Sequence, residues 1–284
     1  MPMSAETVVE LGEVFAKHGW PTHRPKDAVE PDASLFERFC HMLEQLNADQ
    51  QGLILQLCRD FLKCPLPIYS TLLADALEQL TPLDLGNSSD VIFVPLTSPL
   101  DAGNAKSGSC VTYLAKPQAP HHGLLKSRNC FFYEDINRLK CEHSARAGAT
   151  IVFLDDYLGT GETAVAALDD FDKRLRKPDD CVVVVVLVSL QTGFDAVQLR
   201  PTQIVTAHLR TKGISDSKTI TDKETAIRIM LSIEEMLPVP DEFSLGYQRS
   251  EGLESMIRTP DNTFPVFWLS ETVNQTGWPA PFPR

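Results

Sequence analysis

The middle of the chain carries four short runs of apolar residues that are not interrupted by alternating polar positions. The runs occupy residues 91–95, 150–154, 181–188 and 203–207. A strand with one face in water alternates apolar and polar residues, whereas a strand covered on both faces is apolar throughout. The four runs therefore predict the strands of a parallel sheet that is covered on both sides.

A helix is predicted between the second and third runs. Its apolar positions recur at intervals of three and four residues, at Ala164, Ala167, Leu168, Phe171 and Leu175. A strand, a tight loop, a helix and a second strand make a βαβ unit, and such units build doubly wound sheets. We therefore predict an α/β fold with a parallel sheet core.

Helical patterns flank this core on both sides. Ser34 followed by Glu37 is a capping box, Asn47 can cap a second helix, and a third apolar stripe follows. After the sheet, Thr221 and Glu224 form another capping box. We predict three segments: an N-terminal helical region (1–85), the α/β core (86–220), and a C-terminal helix and tail that pack on the core (221–284).

The charge balance excludes one class of function. The 38 acidic and 26 basic residues give a net charge of −12. A protein that binds nucleic acid without sequence preference needs a cationic surface to release the counterions of the phosphate backbone. We therefore expect no direct nonspecific binding to nucleic acid.

Cysteine usage and hydropathy indicate a cytoplasmic protein. The seven cysteines are scattered, odd in number and without a Cys-x-x-Cys pair, which is typical of reduced thiols. The N-terminal residues lack a basic and apolar leader, and the longest apolar run, residues 181–188, is too short to span a bilayer. We expect a cytoplasmic location and no association with a membrane.

The candidate chemistry lies in residues 150–163, TIVFLDDYLGTGET. Asp155 and Asp156 follow the apolar run and so fall at the carboxyl end of a strand, where open α/β sheets bind ligands. The glycines and threonines after them can bend the backbone so that several N–H groups and a helix N-terminus face an anion. Two carboxylates beside such a cradle can accept hydrogen bonds from a vicinal diol and hold a hydrated Mg²⁺. The combination predicts a site for a ribose 5-phosphate.

This stretch resembles the phosphoribosyl pyrophosphate (PRPP) binding motif of type I phosphoribosyltransferases: four hydrophobic residues, two acidic residues, a short loop and Thr-Gly-x-Thr. The resemblance implies the parallel sheet core of that fold, with Mg²⁺ near Asp155 and Asp156. It also implies that these two aspartates bind the ribose 2′- and 3′-hydroxyls. The 5-phosphate would be wrapped by the residues that follow: Tyr157, Leu158, Gly159, Thr160, Gly161, Glu162 and Thr163.

Two further segments can be matched to the same family. A pyrophosphate loop follows an early strand in these enzymes, and that place is occupied here by Lys106, Ser107, Gly108 and Ser109. An ordinary surface turn is the alternative. A mobile loop that closes over the reaction precedes the PRPP motif, and residues 117–129 occupy that place. On closure, four side chains of this segment could reach a diphosphate: His121, His122, Lys126 and Arg128. An ordinary polar loop is the alternative.

The last part of the chain resembles a more specialised group. Residues 245–268, LGYQRSEGLESMIRTPDNTFPVFW, are similar to the Gly-Tyr … Pro-Asn-Asn-Thr-x-Pro-x-x-Trp ending of phosphoribosyltransferase-like domains in bacterial conflict and antiphage systems, some of them retron-associated. Asp261 replaces the first asparagine of that ending. Asn262 and Trp268 are candidates for holding a base, and an aromatic anchor for the tail is the alternative.

Three classes of function remain open. The first is a phosphoribosyltransferase or nucleotide-hydrolysing enzyme that uses PRPP or a ribose-phosphate nucleotide, as an effector in antiphage defence. The second is a sensor that binds the nucleotide without turnover. The third is a scaffold whose N-terminal helices dock a reverse transcriptase or its nucleic-acid complex. Lys106, Lys126 and Arg128 favour catalysis, because binding a single phosphate needs no cations on the diphosphate side.

Overall fold

The computed structural model describes residues 3–23, 34–99, 106–143, 148–270 and 277–284. The chain divides into two compact units: residues 65–210 form one, and residues 1–64 together with 211–284 form the other. Within the described ranges, the helices are all too short or too polar to cross a lipid bilayer.

The described secondary structure is numbered in chain order. The strands are β1 (Leu62–Lys63), β2 (Asp90–Pro95), β3 (Asn129–Phe132), β4 (Thr150–Leu158), β5 (Cys181–Leu190), β6 (Gln203–Arg210) and β7 (Glu254–Ser255). The α-helices are α1 (Ala5–His18), α2 (Leu35–Glu44), α3 (Ala48–Cys58), α4 (Tyr69–Leu77), α5 (Pro82–Leu85), α6 (Ser107–Gln118), α7 (Ile136–His143), α8 (Glu162–Arg174), α9 (Gln191–Gln198) and α10 (Lys223–Glu234).

The unit formed by residues 65–210 is built on a parallel sheet with the strand order β3-β2-β4-β5-β6. From β2 the chain moves outwards to β3, then crosses back over β2 to β4 and continues to β5 and β6. The direction of winding therefore reverses between β2 and β4, which is the switch point of a doubly wound sheet. The predicted α/β fold with a parallel sheet is confirmed.

Helices cover both faces of this sheet, which explains the uninterrupted apolar runs. On one face, strand residues such as Ile92, Phe153 and Val184 pack with Leu168 and Phe171 of α8. On the other face, α4 packs on β5 and β6, and α6 packs on β2 and β4. The apolar side chains of the strands are thus removed from water on both sides, which supplies most of the favourable free energy of folding.

The sequence pattern locates most of the strands but not all of them. The four predicted strands are confirmed, and three of them extend further than expected, to Leu158, Leu190 and Arg210. The pattern does not reveal β3, because this edge strand has only four residues and none of them is fully buried. At α10 the prediction is wrong by one residue: the cap is Asp222, not Thr221, because the Asp222 carboxylate accepts a hydrogen bond from the third amide of the helix.

The unit formed by residues 1–64 and 211–284 packs α1, α2, α3 and α10 around one apolar core. Its aromatic residues stack or meet edge to face, and they include Phe15, Trp20, Phe39, Phe61 and Phe282. The predicted capping box forms at the N-terminus of α2, and Asn47, predicted as a cap, forms a second capping box with Gln50 at the N-terminus of α3. β1 and β7 pair in parallel within the same unit.

The two units divide the chain differently from the three predicted segments. Residues 65–85, expected with the N-terminal helices, contain α4 and α5, which pack on strands of the sheet. Residues 211–284 form one unit with the first 64 residues, because α10 packs on α3 and β7 pairs with β1. The boundary at residue 210 comes directly at the end of β6.

Candidate functional site

Asp155 and Asp156 lie at the switch point of the sheet. β2 ends at Pro95, which pairs with Leu154, so beyond that residue β4 pairs only with β5. The two aspartates are therefore the first residues of β4 that extend past the end of β2. Ligands of open α/β sheets bind in the crevice at this point, outside the carboxyl ends of the strands.

The first turn of α6 meets the aspartate pair. The Ser107 hydroxyl donates a hydrogen bond to Asp155 Oδ1 over 2.7 Å. Gly108 permits this approach, because a Cβ atom there would stand 2.7 Å from the Leu154 carbonyl oxygen. The predicted pyrophosphate loop is therefore the N-cap and first turn of a helix, and not a flexible turn, with Lys106 and Ser109 exposed beside Ser107.

Tyr69, the first residue of α4, completes the surroundings of the pair. Its hydroxyl donates to Asp156 Oδ2 over 2.6 Å, and the side chains of Tyr69 and Asp156 are 0% and 6% exposed. No sequence motif points to Tyr69. A buried tyrosine hydroxyl needs a hydrogen-bond partner, so an apolar stripe that begins with tyrosine signals that such a partner exists, but not which residue it is.

The aspartate pair concentrates negative charge, with Asp156 buried and Asp155 half-buried. Loss of hydration raises the pKa of Asp155, and the neighbouring carboxylate of Asp156 raises it further. Hydrogen bonds from the Ser107 hydroxyl and from the Asp156 backbone N–H act in the opposite direction. The pKa of the Cys110 thiol, on the first turn of α6, is also raised, first by loss of hydration and then by Asp156. The site therefore favours a bound cation.

The loop between β4 and α8 is shorter than the resemblance implies. Tyr157 and Leu158 belong to β4, where they pair with Val188 and Ser189 of β5. The Leu158 side chain is 3% exposed and packs in the core with α8 and α9. Residues 159–161 form the turn itself, and α8 begins at Glu162. The segment available to wrap a phosphate is thus residues 159–163.

Helix α9 holds this short loop in place. Gly161 has φ of +88° and caps α8, and its Cα carries no side chain that could collide with α9. Gly193 of α9 faces the loop closely: a Cβ atom there would stand 2.5 Å from the Gly159 carbonyl oxygen. No sequence motif points to Gly193. A glycine in the first turn of a predicted helix indicates a close backbone approach, but it does not identify the segment that approaches.

Several helix N-termini face the carboxyl edge of the sheet. Helix α6 follows β2, α8 follows β4 and α9 follows β5. Within the described residues, these three helices have no side-chain hydrogen bond at the N-cap, whereas side chains cap α1, α2, α3 and α10. The first backbone N–H groups of a helix point outwards and carry partial positive charge, so uncapped helix N-termini are suited to an anion.

The donor set at the switch point fits Mg²⁺ held jointly with a phosphorylated ligand. Within the described ranges, no three His, Cys, Asp or Glu side chains come close enough together to enclose a metal ion. Mg²⁺ does not need such an enclosure, because one or two carboxylates commonly bind it together with water and substrate phosphates. Asp155 and Asp156 offer two oxygen-bearing groups of this kind.

The predicted mobile loop lies at the opposite edge of the sheet. The segment follows the C-terminus of α6 and precedes the first residue of β3, and a parallel strand starts at the amino edge. Because α6 has 12 residues and rises by about 1.5 Å per residue, its C-terminus is about 18 Å from its N-terminus at the aspartate pair. This placement corrects the prediction that the site is approached by His121, His122, Lys126 and Arg128.

Arg128 has a structural environment at that edge. Its guanidinium donates hydrogen bonds to the carbonyl oxygens of Leu85, Gly86 and Ser88, in the loop that precedes β2. His122 lies 3.8 Å from a carboxylate oxygen of Glu78, at the C-terminal end of α4. These contacts fix the start of the sheet, away from the switch point.

Asn262 and Trp268 belong to the other compact unit, where both are buried. The Asn262 side chain donates to the Ser250 hydroxyl over 3.2 Å. The indole N–H of Trp268 donates to the Thr263 carbonyl oxygen over 2.7 Å, and the Arg284 guanidinium lies 5.5 Å from the ring centroid. These contacts favour the alternative of an anchor for the tail, because the side-chain N–H groups of both residues donate within the unit.

Comparison with known proteins places these observations in a family context. A sequence model of the PRTase-CE family matches residues 30–284, which is most of the chain. Among curated proteins, none matches. The crystal structure of orotate phosphoribosyltransferase from Aeropyrum pernix is similar over 49% of this chain and 69% of that chain, at 17% identity and with a TM-score of 0.30. That similarity is too low to carry an inference about activity.

Proposed function

Since the chain belongs to the PRTase-CE family, we propose that the sheet edge between β2 and β4 binds PRPP or a ribose-phosphate nucleotide together with Mg²⁺. One observation carries the proposal: the two adjacent aspartates at the switch point are met by a hydroxyl of α6, beside the uncapped N-termini of α6 and α8. Carboxylates for a diol and helix ends for phosphates lie together at the place where doubly wound sheets bind ligands.

Each part of the ligand has a counterpart in this arrangement. Asp155 and Asp156 accept hydrogen bonds from the ribose hydroxyls, and the backbone N–H groups of residues 159–163 surround the 5-phosphate. The N-terminus of α6 with Lys106, Ser107 and Ser109 faces the pyrophosphate. Asp155 and Asp156 would hold Mg²⁺, which would supply positive charge to offset the charge of the ligand's phosphates.

Transfer from PRPP would proceed by displacement at the anomeric carbon. The transition state has oxocarbenium character, so the chain contributes by fixing the ribose and by stabilising the departing pyrophosphate with oriented N–H groups. In this proposal the aspartates position the sugar, and neither acts as a covalent nucleophile.

The position of Lys126 and Arg128 favours a second candidate, a sensor that binds the nucleotide without turnover. They are two of the three cations that favour catalysis on the sequence alone, and they lie at the amino edge of the sheet. Among the described residues of the predicted pyrophosphate-binding group, Lys106 is the cation that remains beside the switch point. A site for binding a ribose phosphate needs fewer cations than a site that expels pyrophosphate.

We extend the proposal to a cytoplasmic effector or regulatory subunit of a bacterial antiphage system of the retron type. Its support is the resemblance of residues 245–268 to the ending of phosphoribosyltransferase-like conflict domains. A reverse transcriptase or its nucleic-acid complex is the proposed partner, docked through the N-terminal helices.

Product analysis separates the two candidates. The protein is incubated with Mg²⁺, PRPP and pooled nucleobases and nucleotides, and products are followed by mass spectrometry, with binding of PRPP measured in parallel by equilibrium dialysis. Release of pyrophosphate with a new ribosylated product selects the transferase. Binding of PRPP without turnover selects the sensor, and absence of both overturns the proposed site.

A further inference from the structure

The aspartate pair is held by one hydroxyl from each of two helices. Ser107 of α6 donates to Asp155, and Tyr69 of α4 donates to Asp156. The two carboxyl groups also interact with each other. Four polar side chains from three elements therefore form one connected group, in which Tyr69 is the most distant from the surface.

We infer that Tyr69 is a positioning residue for ligand recognition: it fixes the Asp156 carboxylate in the orientation that a ribose hydroxyl requires. The inference rests on the proposed function of the site. Tyr69 makes no contact with the ligand in this account, because its side chain is fully buried behind Asp156.

The geometry of the contact is that of a strong hydrogen bond. The distance of 2.6 Å is within the range of hydrogen bonds from a hydroxyl to an ionised carboxylate, which are about twice as strong as neutral ones. A phenol ring has few rotamers, and α4 is held by its packing on β5, β6 and α6. The donor is thus fixed in space by the core, and the carboxylate is fixed by the donor.

Asp156 needs such a donor because it sits beside a second carboxylate. Repulsion between adjacent carboxylates tends to rotate them apart, which would remove the arrangement that spans a vicinal diol. Asp155 is held on its side by Ser107 and by the Asp156 backbone N–H. Among the described residues, the Cys110 thiol also lies close enough to Asp156 to be affected by its charge, and a thiol is a weaker hydrogen-bond donor than the phenol.

The test is Tyr69→Phe, which removes one oxygen atom and keeps the ring. Affinities for ribose 5-phosphate and for inorganic phosphate are measured by calorimetry or NMR titration in the presence of Mg²⁺. The affinity for ribose 5-phosphate should fall about tenfold, which corresponds to about 1.4 kcal/mol, because Asp156 loses the donor that fixes its carboxylate. The affinity for inorganic phosphate, which contacts residues 159–163, should change less than about twofold.

Tyr113→Phe is the matched control. Tyr113 lies on α6, and its side chain is 73% exposed. The control should bind both probes as the wild type does. Asp156→Glu is a second variant that keeps the charge and the Tyr69 donor but moves the carboxylate by one methylene group. This variant should also lose affinity for ribose 5-phosphate but not for inorganic phosphate. It keeps the inference testable if Tyr69→Phe lowers stability too far.

The outcomes distinguish the inference from the proposed function. A loss of affinity for ribose 5-phosphate alone, in both Tyr69→Phe and Asp156→Glu, supports the inference that Tyr69 positions Asp156. An equal loss of both probes in Tyr69→Phe indicates general loosening of the fold and overturns the inference, as does an unchanged affinity in either variant. If the wild type binds ribose 5-phosphate no better than inorganic phosphate, the proposed function fails, and the inference fails with it.

Discussion

At the scale of single residues, the candidate site consists of two adjacent carboxylates, of which Asp156 is buried and Asp155 is half-buried. Desolvation of a charged group and repulsion between like charges both cost free energy of folding. Asp155 and Asp156 nevertheless stand next to each other, each held by one hydroxyl from a helix. An arrangement that is costly for the fold is typical of sites kept for ligand binding.

Asp155→Asn should raise the thermal stability near neutral pH. The pKa of Asp155 is raised above its ordinary value of 3.8, mainly by loss of hydration. A carboxyl group with a raised pKa contributes stability that is complete below the unfolded-state pKa and is lost as the pH rises through the folded-state pKa. The asparagine keeps an acceptor for Ser107 and carries no charge, so its melting temperature should exceed that of the wild type.

Scanning calorimetry from about pH 4 to about pH 8 checks this prediction. The margin between Asp155→Asn and the wild type should widen as the pH increases, because only the wild type ionises at this position. A margin that stays constant with pH, or a variant that is less stable throughout, would contradict the assignment of the raised pKa.

At this scale the sequence predicts the groups that lie close together along the chain, and it misses partners that are distant. The apolar run before Asp155 and Asp156 places them at the end of a strand, and Ser107 follows the neighbouring strand. Tyr69 is 87 residues from Asp156, and only the packing of α4 on the sheet brings the two together. No local pattern encodes such a contact.

At the scale of elements, the loop after β4 owes its shape to the helix that packs against it. Gly193→Ala should displace this loop, because the added Cβ would stand 2.5 Å from the Gly159 carbonyl oxygen and 2.9 Å from Leu158 Cγ. We expect an overpacking cost of about 1–3 kcal/mol and at least about tenfold weaker binding of inorganic phosphate. Chemical denaturation and phosphate titration of the same sample measure both effects.

Gly52→Ala is the matched control for this prediction. Gly52 also lies within a helix, α3, but nothing stands within 4 Å of a Cβ added there. Alanine is the better helix former, so this variant should gain about 0.5–1 kcal/mol of stability and leave phosphate binding unchanged. If Gly193→Ala behaves like Gly52→Ala, the loop is not held by α9 in the way described.

The C-terminal end of α10 provides a pH-dependent contact in the other unit. Glu234 is buried and accepts hydrogen bonds from the Leu245 backbone N–H at 3.0 Å and from the Ser244 hydroxyl at 2.9 Å. Burial raises the pKa of Glu234 from 4.5 to about 6, against the effect of these hydrogen bonds. Its stabilising contribution is therefore complete below pH 4.5 and is lost as the pH rises through about 6.

Glu234→Gln should remove this dependence. A shift of this size corresponds to about 2 kcal/mol, by which the wild type should lose stability relative to the variant between acidic and alkaline pH. Urea denaturation at about pH 4.5 and about pH 8 measures the difference. If the difference in unfolding free energy between the two proteins were the same at both pH values, Glu234 would not titrate as inferred.

One short strand explains the main error in the predicted organisation of the site. Because the sequence pattern does not reveal β3, it predicts that residues 117–129 form a loop leading to the PRPP motif. With β3 at Asn129–Phe132, the chain must already have returned to the amino edge of the sheet at Arg128. An edge strand of four half-exposed residues has no clear apolar run, so the sequence pattern cannot distinguish it from a loop.

At the scale of the whole molecule, the account assigns opposite edges of the sheet to ligand binding and to structural support. Arg128→Met tests this separation. Loss of the guanidinium leaves the carbonyl oxygens of Leu85, Gly86 and Ser88 without these donors, so stability should fall by about 1.5–3 kcal/mol. Affinity for PRPP, measured well below the melting temperature, should be unchanged.

Lys126→Met is the control for that variant, because Lys126 is exposed on the same segment. It should alter neither stability nor affinity by more than about 0.5 kcal/mol. If Arg128→Met bound PRPP more weakly but kept the stability of the wild type, residues 117–129 would instead be assigned to ligand binding.

The acidic character of the chain sets a condition on its ligand. A net charge of −12 disfavours a polyphosphate anion unless a cation and local N–H groups compensate. In the proposed site, Asp155 and Asp156 would hold the cation, and the N-termini of α6 and α8 would offer the N–H groups. If the proposed site is correct, we expect the binding of a phosphorylated ligand to depend on Mg²⁺.

Calorimetric titration of PRPP with Mg²⁺ into the wild type and two variants tests the central claim most directly. Asp156→Asn removes a carboxylate of the site, and Asp179→Asn removes an exposed carboxylate from the turn that precedes β5. We predict that the wild type and Asp179→Asn bind PRPP alike, and that Asp156→Asn binds at least about tenfold more weakly. Equal affinities in all three proteins, or no binding to the wild type, would contradict the assignment of the switch point as a ribose-phosphate site.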